Sequence, residues 1–348
     1  MKTTHSIYFK DSTDISEIDS NSIDLIITSP PYPMIEMWDN IFSSQNSKIK
    51  KALEDQNGKL AFELMHEKLN EVWNESIRTL KKGGIICINI GDATRKIGKT
   101  FQLFPNHVKI SQFFQDNDCI ALPLILWRKP TNSPTKFMGS GMLPSNAYIT
   151  LEHEYILIFR KGKGKRKFKP KSEKRYHSAY FWEERNKWFS DVWNDIRGVS
   201  QNLENNDKLR ERSAAYPLEL PCRLINMFSI YGDTILDPFW GTGTTSIAAM
   251  ISARHSFGYE INSEFMKVFE NNLKNIKKIT HEINKKRIDK HTKFIEKYSN
   301  ERDIKYTSHF YKFPVITSQE QNILFYSMQD IVKSNHTYNI AHQKFEPL

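Results

Sequence analysis

The 348 residues carry 50 Lys and Arg against 40 Asp and Glu, a formal net charge of +10 with 39% hydrophobic content; that is chain enough for a full buried core, and the charge favours a polyanionic partner, with nucleic acid the obvious candidate. No apolar run approaches the ~20 residues a membrane helix needs, and the amino terminus, MKTTHSIYFKD, lacks the apolar core of a signal peptide. Cys87, Cys119 and Cys222 are far apart and show no metal-type spacing, so a reducing cytoplasm is the simplest fit.

Residues 7–11, IYFKD, read as a first short strand ending in Asp11. Residues 23–27, IDLII, are rich in branched apolar side chains and read as a buried parallel strand. The strand stops at Thr28-Ser29. Pro30 and Pro31 cannot donate backbone hydrogen bonds, so the chain leaves the sheet in a stiff extended turn with Tyr32 at the rim. In an open α/β sheet that rim is where ligands bind. Residues 34–62 are polar and irregular and include Trp38 and Asp39; a lid, a nucleic-acid-facing loop and a plain solvated loop are the readings.

Helical apolar spacing over residues 61–80 (Leu64, Met65, Leu69, Val72, Trp73, Ile77, Leu80) ends at Lys81-Lys82-Gly83-Gly84, a basic last turn followed by glycine. Residues 85–90, IICINI, form a second buried strand, and 113–116 fit the end of another helix. Strands follow at 120–127 and 153–160. The segment between them, 129–150, is too rich in Pro, Gly and Ser for a crossover helix, so the two strands are antiparallel neighbours at a sheet edge. Within it, residues 136–146 read as a hairpin loop. Residues 160–175 hold ten Lys or Arg and one acid, Glu173, and the aromatics Tyr176, Tyr180, Phe181, Trp182, Trp188, Phe189 and Trp193 come next. Phosphate contact from this run, with the aromatics packing a small core, is weighed against a solvated loop. A helix over 215–231 leads into TILDPFWGTGTT, residues 234–245. There a short strand delivers Asp237 to the rim, a glycine turn lets backbone approach a ligand, and a helix starts near Thr244. The next strand, 256–259, ends in Glu260, well placed to accept hydrogen bonds from a ribose diol. From Asn262 the pattern becomes one long, lysine-rich helix, and residues 304–348 are mixed.

TSPPY at 28–32 resembles the signature of DNA amino-methyltransferases, and its serine resembles the N4-cytosine branch. DPFWGTGTT at 237–245 and GYEIN at 258–262 resemble that family's two cofactor motifs. Catalytic motif before cofactor motif is similar to the permuted β group. The resemblance covers residues 6–270 and implies a Rossmann-like methyltransferase fold: a mostly parallel seven-stranded sheet with one antiparallel hairpin. Residues 1–160 would be the catalytic part, 161–212 a target-recognition region, 213–270 the cofactor-binding part and 271–348 a helical C-terminal extension. It implies methyl transfer from S-adenosylmethionine, without a metal, to a base flipped out of double-stranded DNA. Ser29, Pro30, Pro31 and Tyr32 would be catalytic: the Ser29 hydroxyl and Pro30 carbonyl would draw on the amine while Tyr32 stacks on the base. Asp237, Pro238, Phe239, Gly241, Gly243, Thr244, Thr245, Glu260 and Asp11 would bind the cofactor. Lys163, Lys165, Arg166, Lys167, Lys169 and Lys171 would contact DNA. The setting implied is a restriction-modification system in which a cognate endonuclease is a functional partner; a monomer suits methylation of one strand at a time. N6-adenine methylation shares the layout, and a non-catalytic DNA-binding subunit is the rival from another class. C5-cytosine chemistry would need a thiolate, and Pro221-Cys222 lies in a helix entry away from the rim.

Overall fold

Ile23, Leu25, Ile26 and Ile27 are buried on both faces, because the strand they build lies at the centre of the sheet. The computed structural model describes residues 1–129, 138–198 and 216–347. Its strands are β1 (Lys2–Tyr8), β2 (Ile23–Thr28), β3 (Leu80–Ile90), β4 (Cys119–Arg128), β5 (His153–Lys161), β6 (Val192–Trp193), β7 (Thr234–Asp237), β8 (His255–Tyr259), β9 (Tyr326–Ser334) and β10 (Thr337–Lys344). They form one sheet in the order β6-β4-β5-β3-β2-β7-β8-β1-β10-β9. The pairs β3–β2, β2–β7, β7–β8 and β8–β1 are parallel. β5 runs antiparallel to both β3 and β4. The expected seven strands with their antiparallel hairpin are therefore present, and three more extend the edges: β6 beside β4, and the β9–β10 hairpin beside β1.

Helices α1 (Asp39–Gln45), α2 (Ser47–Glu54), α3 (Gly58–Thr79), α4 (Asn106–Asp116), α5 (Trp182–Trp188), α6 (Glu219–Phe228), α7 (Thr244–Ile251), α8 (Phe265–Leu273) and α9 (Ile276–Tyr298) cover the sheet. Met65, Leu69, Val72 and Trp73 of α3 pack with Ile26, Ile86 and Ile88. Leu220, Leu224 and Ile225 of α6 and Ala248 and Ala249 of α7 pack with Leu25, Ile27 and Ile235. Each fully buried branched side chain contributes roughly 1.5–3 kcal/mol. Among the described residues no helix is long and apolar enough to cross a membrane.

Several local expectations are corrected. The first strand covers residues 2–8, not 7–11. Its buried positions include Thr3 and His5, whose polarity masks the strand; they are satisfied by each other at 2.9 Å and by Ser256 at 2.8 Å. The Lys81-Lys82-Gly83-Gly84 stop lies inside β3, since α3 ends at Thr79 and the β2–β3 register shifts to admit the extra residues. Residues 34–62 are not irregular: α1, α2 and the start of α3 occupy most of them. The long helix after Asn262 is two helices, α8 and α9.

The C-terminal extension is not helical throughout, since β9 and β10 add to the central sheet. Its helix α9 also supports α5, in the segment expected to be a recognition region: Arg287 donates to both Glu184 carboxylate oxygens at 2.6 and 2.8 Å, and the His291 ring stacks on Phe181 at 3.9 Å. Phe181 and Trp193 are fully buried, whereas Trp182 is exposed. Parts of the 136–146 loop, the recognition region and the 215–231 helix fall outside the described residues; α6 spans 219–228, with Pro221 in its first turn.

Candidate active site

β2 and β7 are adjacent and parallel, so the two rim motifs emerge side by side. A hydrogen bond joins them: the Thr28 hydroxyl donates to Asp237 Oδ1 at 2.7 Å. Thr245 donates to the other oxygen at 2.5 Å, and the Phe239 N–H donates to Oδ1 at 3.1 Å. Burial pushes the Asp237 carboxyl up to about 6, and the Thr245 and Thr28 hydroxyls with the Phe239 N–H pull against that rise. Asp237 is thus the pin that sets β2 against the glycine turn.

Behind the two motifs lies a cleft of about 190 Å³. Asp11, Ser29, Pro30, Pro31, Asp237, Pro238, Phe239, Gly241, Thr244 and Glu260 line it. The segment that follows the TSPPY turn supplies a wall through Trp38, Ile41, Phe42 and Gln45, and Gln45 reaches across to Asp11 at 3.5 Å. Glu260 accepts from Gly241 N–H at 2.8 Å and Asn262 N–H at 2.9 Å, which ties the end of β8 to the glycine turn. Burial raises its carboxyl above the ordinary value.

Gly243, Thr245 and Tyr32 do not line the cleft. Gly243 has φ +79°, and a Cβ there would collide with Phe269 and Trp240, so it is required by packing and by the left-handed entry into α7. Thr245 is buried, and its hydroxyl contacts Asp237 and Tyr216. Tyr32 is held from behind by polar contacts. Its hydroxyl lies 3.2 Å from Ser29 Oγ, 3.0 Å from Glu154 Oε2 and 2.9 Å from Asn89 Nδ2, while Lys129 donates to Glu154 Oε1 at 2.7 Å.

A second buried clamp sets the turn against β3. Asn106 donates to the carbonyls of Pro33 at 3.1 Å and Gly91 at 2.9 Å, and His66 Nε2–H donates to its oxygen at 3.0 Å. Burial pulls His66 down to about 4. The sequence reading missed Thr28, Asn89, Asn106, Glu154 and Tyr216. Two carried a signal: Asn89 is the lone polar residue in IICINI, and Glu154 is an acid opening a rim-facing strand.

The basic run is elsewhere. Arg166 forms ion pairs with Asp233 and with Asp24, the residues just before β7 and within the start of β2. These are the amino ends of strands whose carboxyl ends carry the cleft. Six residues of β2 separate the rims, about 20 Å at ~3.3 Å per residue. Lys163, Lys165, Lys167, Lys169 and Lys171 are exposed on that far rim. Arg166 is thus an ion-pair partner of Asp24 and Asp233, and the run that carries it leaves β5 at the opposite end of the sheet from Ser29. Cys222 is buried within α6, where burial pushes its thiol up to about 12, so it is not a rim nucleophile.

A strand-end TSPPY turn beside a glycine-turn cleft defines an amino-methyltransferase type of site, and comparison with known proteins agrees. Residues 23–271 match the DNA methylase family of N6/N4 methyltransferases, and the chain belongs to that family. It is 54% identical to the type II methyltransferase M.MthZI of Methanothermobacter thermautotrophicus, over 100% of this chain and 97% of the relative. It is 51% identical to the type II methyltransferase M.MjaI of Methanocaldococcus jannaschii, over 78% and 91% of the two chains. A Thermus thermophilus protein described as a DNA modification methylase, solved with S-adenosyl-L-methionine, is 29% identical with a TM-score of 0.61, over 78% of this chain and 94% of that one.

Proposed function

We propose that this DNA methyltransferase transfers a methyl group to the exocyclic N4 amine of a cytosine flipped out of duplex DNA, in a type II restriction-modification setting. S-adenosylmethionine is its cofactor, and when bound it supplies a methyl group on a positively charged sulfur. The donor set fits such a ligand: Glu260 and Asp11 stand beside the pinned Asp237 in a cleft whose walls include Trp38, Phe42, Phe239 and Ile261. Glu260 keeps lone pairs beyond those given to Gly241 and Asn262, and these suit a ribose diol. Asp11 suits an ammonium group.

The observation that carries the reading is Ser29 on the cleft side of a turn locked to Asp237 through Thr28. An exocyclic amine is a poor nucleophile because its lone pair is delocalised into the ring. Acceptors at its two hydrogens, Ser29 Oγ and the Pro30 carbonyl, draw it towards a tetrahedral, reactive form. Holding donor and amine on adjacent strands supplies the proximity term. A serine at this position, where an acid or amide suits adenine, supports cytosine. The duplex lies against the carboxyl rim, where exposed Lys96 and Lys99 of the Ala93–Ile97 and Thr100–Phe104 hairpin offer phosphate contacts. The test is mass spectrometry of nucleosides from mixed-sequence DNA incubated with protein and isotopically labelled S-adenosylmethionine. Label in N4-methylcytosine is the expected result; label in N6-methyladenine overturns the base assignment.

A further inference from the structure

The polar network behind Ser29 has a fixed direction. Glu154 is a carboxylate with a 15% exposed side chain, and a carboxylate only accepts. Asn89 Nδ2 lies 2.6 Å from Glu154 Oε2 and 2.9 Å from Tyr32 Oη. The amide cannot be reversed, because its oxygen would then face the carboxylate. Tyr32 has one hydroxyl hydrogen, and Glu154 Oε2 at 3.0 Å takes it. The contact at 3.2 Å is left for the Ser29 hydroxyl to donate to Tyr32. The hydrogen of Ser29 therefore points inward, and its lone pairs are what a ligand in the cleft meets.

We infer that Glu154, acting through Tyr32, fixes Ser29 as a hydrogen-bond acceptor and takes up the proton that the target amine releases. This rests on amine methylation at Ser29 as proposed above. As the nitrogen–methyl bond forms, the sulfur–carbon bond breaks and its electron pair stays on sulfur, leaving the amine cationic and acidic. One N–H bond then breaks, and its electrons return to nitrogen as the lone pair. That proton passes to Ser29 Oγ, the Ser29 proton to Tyr32 Oη, and the Tyr32 proton to Glu154 Oε2. Lys129 occupies the other carboxylate oxygen at 2.7 Å. Burial, and Glu154 after it, raise the Tyr32 phenol well above its ordinary value, so it relays a proton without resting as the anion. An acceptor-only Ser29 also selects a base with an NH2 group over one that presents a carbonyl there.

The experiment compares wild type, Glu154→Gln, Glu154→Asp, Tyr32→Phe and the Tyr32→Phe/Glu154→Gln double variant. The readouts are single-turnover transfer to mixed-sequence genomic DNA, Kd for S-adenosylmethionine and for DNA, and Tm. We expect Glu154→Gln and Tyr32→Phe each to slow transfer by about 100-fold, within the range for a lost proton-transfer group. Both Kd values should stay within about twofold, the double variant should be no slower than the slower single, and Glu154→Asp should recover part of the rate. Tyr32→Phe keeps the ring in place, so it reads the relay even where Glu154→Gln lowers Tm. A Glu154→Gln rate within twofold of wild type, or fully additive losses, would overturn the relay. Absence of label on any amine with the wild-type protein would instead sink the methylation reading beneath it.

Discussion

At the carboxyl rim of the sheet, Ser29, Asp237 and Glu260 converge on one cleft, and Thr28 joins the two motifs that deliver them. At the amino rim, the most basic stretch of the chain is anchored by Arg166 on Asp24 and Asp233. Both stretches stand out in the sequence, yet they lie at opposite ends of the same strands. The difference is direction. Parallel strands send their carboxyl ends, and the irregular turns after them, to one side. A basic run after the antiparallel β5 is carried the other way, because β5 starts at the carboxyl rim and ends at the amino rim. Charge count favours a nucleic-acid partner for the whole chain; strand polarity sets which rim each charged stretch occupies.

The largest expected effect sharpens this contrast at the cleft. Ser29→Ala should lower methyl transfer by about 10³-fold or more, the scale for losing a transition-state hydrogen-bonding group. Its S-adenosylmethionine Kd, read by calorimetry, should stay within about twofold, and equal loss of binding would mean the fold was damaged. Glu260→Ala should do the opposite and weaken cofactor binding by about 100-fold, since it removes charge-assisted hydrogen bonds. At the amino rim, Arg166→Met should cost stability rather than chemistry. It takes the guanidinium from the nearly buried Asp233, while Asp24 keeps Lys81 at 2.8 Å, which amounts to about 3 kcal/mol on urea denaturation, with the Kd for DNA unchanged.

Smaller effects separate the rims by salt dependence. Changing Lys165, Lys167, Lys169 and Lys171 together to Gln should leave the slope of log K for DNA against log salt unaltered. Lys96→Gln with Lys99→Gln should reduce it by about 2. Equal slopes for the two sets would erase the distinction between the rims. The smallest effect is on pH. The His66 pKa is lowered to about 4 in the folded state, so its contribution is fully present above pH ~6.5 and is lost as pH falls towards 4. Between pH 7.5 and 5, about 2 kcal/mol of the fall in unfolding free energy should vanish in His66→Gln.

Much of this was legible because contiguous motifs do not depend on tertiary context. IDLII followed by two prolines carries the pattern of a buried strand and a stiff turn and forms them here, and GTGTT opens a helix at Thr244 as expected. Long-range partners were not legible. Nothing local tells that Asn106 holds the carbonyls of Pro33 and Gly91, or that Glu154 meets Tyr32. Tyr32 was assigned a stacking role for its ring; that its hydroxyl is committed inward to Ser29, Asn89 and Glu154 was not legible. β10 escaped because TYNIAHQK buries His342 as well as apolar residues, and its pairing partner β1 lies at the other end of the chain.

Whether DNA meets the carboxyl rim and not the basic run is decided by amide hydrogen exchange. The protein would be compared alone and with duplex DNA and a non-reactive cofactor analogue. Slower exchange in residues 32–38 and 93–104, with residues 163–171 unchanged, is the predicted result. Slower exchange in 163–171 with none in 93–104 would contradict it.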